Sequence, residues 1–136
     1  MIFVDTGFLL ALGQPNDTLH ARALEWSQLL SEPLLATEYV LVETVNNLSK
    51  RADRPRACRI LEMISQDENH TIIHASPELF AAGLHLHGER PDKDWSLTDC
   101  ISFHVMRGRG ITRALAYDIH FEQAGFEALL RRNPAE

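Results

Sequence analysis

Little in this sequence points to a membrane or to an oxidising compartment. Its 136 residues include only two cysteines, Cys58 and Cys100. They fit no metal-ligand or redox spacing and read as reduced thiols. No run approaches the ~18 consecutive apolar residues that a membrane span needs. No basic leader precedes the first apolar run, so a cytoplasmic protein without membrane attachment is expected. Repeats, linkers and low-complexity tracts are absent. Excess positive charge is absent too, since the formal net charge is −6, which counts against a large phosphate-tracking surface. The hydrophobic content of 45% suffices for one core, and a single domain over residues 1–136 is expected.

Charge is nonetheless uneven. Five of the 13 basic residues fall at Lys50, Arg51, Arg54, Arg56 and Arg59, and three more at Arg107, Arg109 and Arg113. Two readings stand: a solvated surface, or local phosphate contacts flanking an acidic centre.

Short apolar runs alternate with longer stretches of helical period. Residues 2–5, 34–36, 70–74 and 111–117 read as strands, and 126–130 as an edge strand. Helices are expected over 7–12, 17–31 (capped by Asp17), 38–51 (capped by Thr37), 55–65, 76–86, 97–106 and 121–125. Ser76-Pro77-Glu78 is a helix start with a cap, Pro at the first helical position and an acid in the first turn. Strands alternating with helices favour a parallel sheet covered on both faces, joined by right-handed crossovers. Trp26, Phe80 and Phe103 read as core, and His104 as a packed helix residue.

Four acids stand where strand and helix exchange: Asp5, Glu43, Asp99 and Asp118. Each has an ordinary explanation. Asp5 can cap the first helix, Asp99 can form a capping box with Ser96, and Asp118 can start a turn. Glu43 can be a surface acid, although its neighbours Val40, Leu41, Val42 and Val45 predict a largely buried stretch. In an open parallel sheet, however, the carboxyl ends of the strands form one crevice. Acids gathered there repel one another, which makes physical sense mainly around a hard divalent cation.

These residues resemble a known family. Val4-Asp5-Thr6, then Glu43, then Ser96-Leu97-Thr98-Asp99-Cys100, then Asp118-Ile119-His120-Phe121 are similar to the PIN domain and, within it, to the VapC-type toxin ribonucleases. The resemblance runs over nearly the whole chain. It implies a three-layer α/β/α fold with a central parallel sheet of four to five strands. It also implies a metal-dependent endoribonuclease using Mg²⁺ or Mn²⁺, an RNA substrate, a small antitoxin partner and a homodimer. Carried over, Asp5, Glu43, Asp99 and Asp118 form the acidic centre and hold the metal. Thr6 supplies a hydroxyl that positions a water or an acid, or merely caps a helix.

The chemistry supports this independently. Phosphodiester hydrolysis needs an activated water and neutralised phosphate charge, and hard cations supply both. Asp5 and Asp99 are expected to ligate directly, and Glu43 and Asp118 to ligate through water or to orient the attacking water. Repulsion among the acids predicts that Asp99→Asn stabilises the metal-free protein. His120 is a candidate supporting residue, Asp94 reads as a loop acid, and Trp95 either packs or stacks on a base. His85 and His87, two apart on a helix, make no zinc pair. Asp5-Thr6-Gly7 also matches the triplet of aspartic proteases, but helix rather than β-structure follows it. A haloacid-dehalogenase-type phosphatase needs an Asp where Gly7 stands. The alternative function is a non-catalytic PIN-like module that binds RNA or protein.

Overall fold

The apolar run at the N-terminus becomes the centre of the molecule. In the computed structural model, which describes residues 1–134, β1 (Ile2–Val4) is buried at all three positions. It pairs in parallel with β2 (Leu34–Thr37) on one side and β4 (Arg113–Leu115) on the other. β3 (His70–Ile73) extends the sheet beyond β2, and the two-residue β5 (Glu127–Ala128) extends it beyond β4. The order is β3-β2-β1-β4-β5 and every pairing is parallel. β1 and most of β2 and β4 are buried, which explains why they read as continuous apolar runs rather than as alternating patterns, whereas the edge strand β3 is partly exposed.

Helices fill the crossovers: α1 (Thr6–Gly13) and α2 (His20–Leu29) between β1 and β2, and α3 (Glu38–Asn47) and α4 (Arg54–Gln66) between β2 and β3. α5 (Pro77–Glu89) and α6 (Leu97–Arg109) lead to β4, and α7 (Ile119–Gln123) leads to β5. From β1 the chain steps outward through β2 to β3, then returns to β4 on the far side of β1. Right-handed crossovers therefore put α1–α4 on one face and α5–α7 on the other. α1 packs on α2 and α3, and α5 on α6. The result is the expected three-layer fold, with five strands. Between β1 and β4 the connections diverge in opposite directions, which opens a crevice at their carboxyl ends.

Element boundaries moved for local reasons. The helix expected over 17–31 begins only at His20, because the Asp17 carboxylate accepts the Leu19 N–H at 2.8 Å and fixes a turn instead. The helix expected over 38–51 stops at Asn47. A 3₁₀ turn over Arg51–Asp53 then precedes α4, whose Pro55 sits in the first turn. α6 runs on to Arg109 and ends at Gly110, whose φ of 66° is the left-handed conformation favoured by glycine at this place. Phe80 was expected in the core but is 48% exposed on α5, and His104 faces solvent on α6.

Trp26 and Phe103 are buried as expected. Phe103 is the hub of an aromatic stack. Its ring centroid is 5.0 Å from those of Trp95 and Phe121, both edge-on, and Phe121 lies 6.3 Å from Phe3. Trp95 also donates its indole N–H to Gln123 Oε1 at 3.1 Å. Of the two roles open to Trp95, packing is the one realised. This stack joins β1, the entry to α6 and α7, the segments that carry Asp5, Asp99 and Asp118. Phe103→Ala should lower unfolding free energy by ~3–5 kcal/mol, read from urea denaturation.

Candidate metal centre

Three of the four acids owe their positions to the sheet. Asp5 follows β1 directly, and its backbone N–H continues the ladder to Leu115 of β4 at 3.2 Å. Asp118 lies three residues beyond the last residue of β4. α6 runs back toward the start of β4, so its N-terminus, with Asp99 in the first turn, lies at the carboxyl edge of the sheet. Glu43 is carried by α3, which leaves the same edge after β2. All four line one open cleft of about 960 Å³, together with Thr6. That volume far exceeds what an ion requires and suits a larger ligand.

The ordinary explanations turn out to be partly true. Asp99 forms the full capping box with Ser96, each side chain accepting the other's backbone N–H, at 3.0 and 3.1 Å. Asp118 caps α7 by accepting the His120 N–H at 3.0 Å. Asp5 occupies the N-cap position of α1, yet its side chain makes no capping bond. Glu43 has no hydrogen-bonded or ion-paired side-chain partner among the described residues. Its helix is less buried than expected: Val42 is exposed, and Val40 and Thr44 carry the packing. Thr6 directs its hydroxyl to the Val40 carbonyl at 3.3 Å. It therefore ties α1 to the helix that presents Glu43.

His120, a candidate supporting residue by its sequence position, meets two of the acids. Its Nδ1 lies 3.0 Å from Asp99 Oδ2 and 3.2 Å from Asp118 Oδ1. Both oxygens are acceptors, so Nδ1 donates and the ring spans the two carboxylates. The spacing Asp-x-His was the available signal: a capping acid turns its own helix start back over itself. Asp17 and Asp94 also line the cleft. The clustered arginines do not. Arg113 pairs with Glu32 at 2.8 Å, Arg107 donates to the Ala124 carbonyl, and Arg56 lies 3.5 Å from Asp53. The lone Lys or Arg lining the cleft is Arg131, which the sequence did not single out.

Asp5 bears the electrostatic cost. Its residue is only 8% exposed. Burial foremost, then the charges of Asp99, Glu43 and Asp118, push its carboxyl up to about 8, offset in part by the Thr6 N–H. Asp99, Asp118 and His120 place ligand atoms within 4.8 Å of one another. A carboxylate-rich donor set with a buried, repelled acid beside it fits a hard cation such as Mg²⁺ or Mn²⁺.

Fold and site together define a class, a parallel α/β protein whose carboxylates converge at the topological switch point in a pocket suited to a divalent ion. The chain belongs to the PIN domain family, whose pattern matches residues 2–127. It is 33% identical over 129 residues to the 23S rRNA-specific endonuclease VapC20 of Mycobacterium tuberculosis, in strains CDC 1551 / Oshkosh and H37Rv. The match covers 93% of this chain and 95% of that protein. The crystal structure of Mycobacterium tuberculosis VapC20, a sarcin–ricin loop cleaving toxin, superposes with a TM-score of 0.85. Identity there is 28%, over 93% of this chain and 96% of that one. FitAcB from Neisseria gonorrhoeae shares the fold, with a TM-score of 0.67 at 15% identity over 94% and 96% of the two chains.

The raised Asp5 carboxyl has a defined signature. With an unfolded value near 3.8 and a folded value of about 8, it holds its proton more tightly when folded. Its contribution to metal-free stability is therefore undiminished below about pH 4, declines as pH rises, and levels off above about pH 8. In EDTA, Asp5→Asn should flatten this decline and stabilise the protein at pH 8 by at least ~1.4 kcal/mol, the equivalent of one pKa unit. Urea denaturation across pH 5 to 8 measures it. Asp99→Asn, expected from the sequence to bring similar relief, also alters a capping box and the His120 contact, so Asp5→Asn isolates the effect of burial and repulsion.

Proposed function

We propose that this protein is a divalent-metal-dependent endoribonuclease, the toxin of a toxin–antitoxin pair. The observation that carries this reading is the convergence of Asp5, Glu43, Asp99 and Asp118 at one edge of the sheet. Similarity over 93% of the chain to a 23S rRNA-specific endonuclease supports it. By that similarity the substrate is ribosomal RNA and the cut lies in the sarcin–ricin loop. A small antitoxin partner, a homodimer and a cytoplasmic location are part of this proposal, as the family resemblance implies. No helix among the described residues is long and apolar enough to cross a membrane. Nothing in the cleft favours a non-catalytic module.

Asp5, Asp99 and Asp118 would hold Mg²⁺ or Mn²⁺, with Glu43 completing the acidic set. A bound cation of this kind neutralises phosphate charge and lowers the pKa of a coordinated water. The protein's own groups do the rest. His120, donating to Asp99, fixes the orientation of a ligating carboxylate. Glu43, unpartnered among the described residues, accepts a proton from the attacking water. Thr6 holds α3 against α1 and so keeps Glu43 facing Asp5.

With a labelled sarcin–ricin loop RNA, cleavage should require Mn²⁺ or Mg²⁺ and vanish in EDTA. Asp5→Ala and Asp99→Ala should lower the rate by at least ~100-fold. His120→Ala should cost roughly 10- to 100-fold in metal affinity or activity. Saturating Mn²⁺ should also raise Tm, by about 2.7 kcal/mol of stabilisation at 100 times Kd. Metal-independent cleavage, or full activity in Asp5→Ala, would refute this assignment.

A further inference from the structure

Tyr117 is an aromatic residue without a structural duty. It directly precedes Asp118, lines the acidic cleft and is 46% exposed. Its hydroxyl makes no hydrogen bond among the described residues. Tyr39 behaves differently: its hydroxyl donates to the Ser76 carbonyl and accepts the Ser76 N–H. The Arg131 guanidinium lies over the Tyr117 ring, 5.1 Å from its centroid. Arg131 is fixed there by a 2.8 Å bond from Nη1 to the Tyr117 carbonyl and by Glu122 at 3.6 Å. That bond joins main chain to Arg131, so packing of this segment does not need the ring. A cation covers one face of the tyrosine, and the side chain borders the cleft.

Six acids line this cleft, and Arg131 is the single Lys or Arg among its lining residues. Attraction to phosphate is therefore weak away from a bound metal. An RNA strand gains most here from uncharged contacts, and a base presents a π-face whatever its sequence. Ile119, 41% exposed and also lining the cleft, adds apolar surface two residues further on. We propose that Tyr117, backed by Arg131, is the substrate-positioning platform of the site, stacking on one unpaired base next to the scissile phosphate. The inference rests on the ribonuclease reading and extends it.

The test uses the full-length protein and a hairpin carrying the sarcin–ricin loop, with 2-aminopurine placed in turn at each unpaired position. In an Asp5→Asn background, which holds the RNA uncut, one position should lose fluorescence on binding, and Tyr117→Ala should abolish that quench. In the otherwise wild-type enzyme with Mn²⁺, Tyr117→Ala should raise KM roughly 5- to 100-fold with little change in kcat. Tyr117→Phe should match wild type, whereas Tyr117→Leu, which keeps the apolar bulk, should behave like Ala. Thermal melts confirm that each variant is folded. No quench at any position, or Leu performing as well as Phe, overturns the platform. Absence of metal-dependent cleavage by the wild-type protein would instead remove the nuclease reading, and the binding quench still reports on Tyr117 by itself.

Discussion

A carboxylate at the end of the central strand, starved of water and facing other carboxylates, sets the terms for the rest of this molecule. Asp5 is placed there by the β1–β4 ladder, and folding alone gives it no compensating cation. Its raised pKa expresses both burial and the charges of Asp99, Glu43 and Asp118. Such an arrangement persists because the surroundings over-determine it. β1 is wholly buried, and the Phe3, Phe103, Phe121 and Trp95 rings pin the neighbouring segments from beneath. α1, α3, α6 and α7 all begin at this edge, and their N-termini carry partial positive charge that eases the crowding.

The same groups serve local folding and the site together. Asp99 closes a capping box and also meets His120; Asp118 caps α7 and also faces the cleft. This double use keeps the ligand carboxylates oriented before any ion arrives, which lowers the cost of organising them. Asp5 and Glu43 differ. Neither side chain makes a capping bond or an ion pair among the described residues. They are the two acids whose presence local folding cannot explain.

Much of the architecture could be read from the chain. Continuous apolar runs signalled buried parallel strands, and Ser76-Pro77 and Ser96-Leu97-Thr98-Asp99 marked helix starts found at those places. Boundaries failed where a side chain captured a backbone group outside the periodic pattern, as Asp17 did at Leu19. Burial failed where a helix face met solvent instead of a neighbour, as with Phe80 and Val42. The acids were recognisable as a set and His120 as a neighbour of one of them, whereas nothing in the spacing marked Arg131. Their roles depend on which groups the turns bring opposite them.

Sequence alone settled the alternation of strand and helix, the four acids and their order, because these depend on local periodicity and on residue type. Tertiary structure decided the placement of β1 between β2 and β4, which makes the switch point and so gathers acids from distant parts of the chain. It also decided that Asp5 is the residue left desolvated, that the Thr6 hydroxyl reaches α3, and that a tyrosine and an arginine meet at the rim. Desolvation and through-space charge are properties of neighbours, and neighbours across a sheet are not encoded by spacing along the chain.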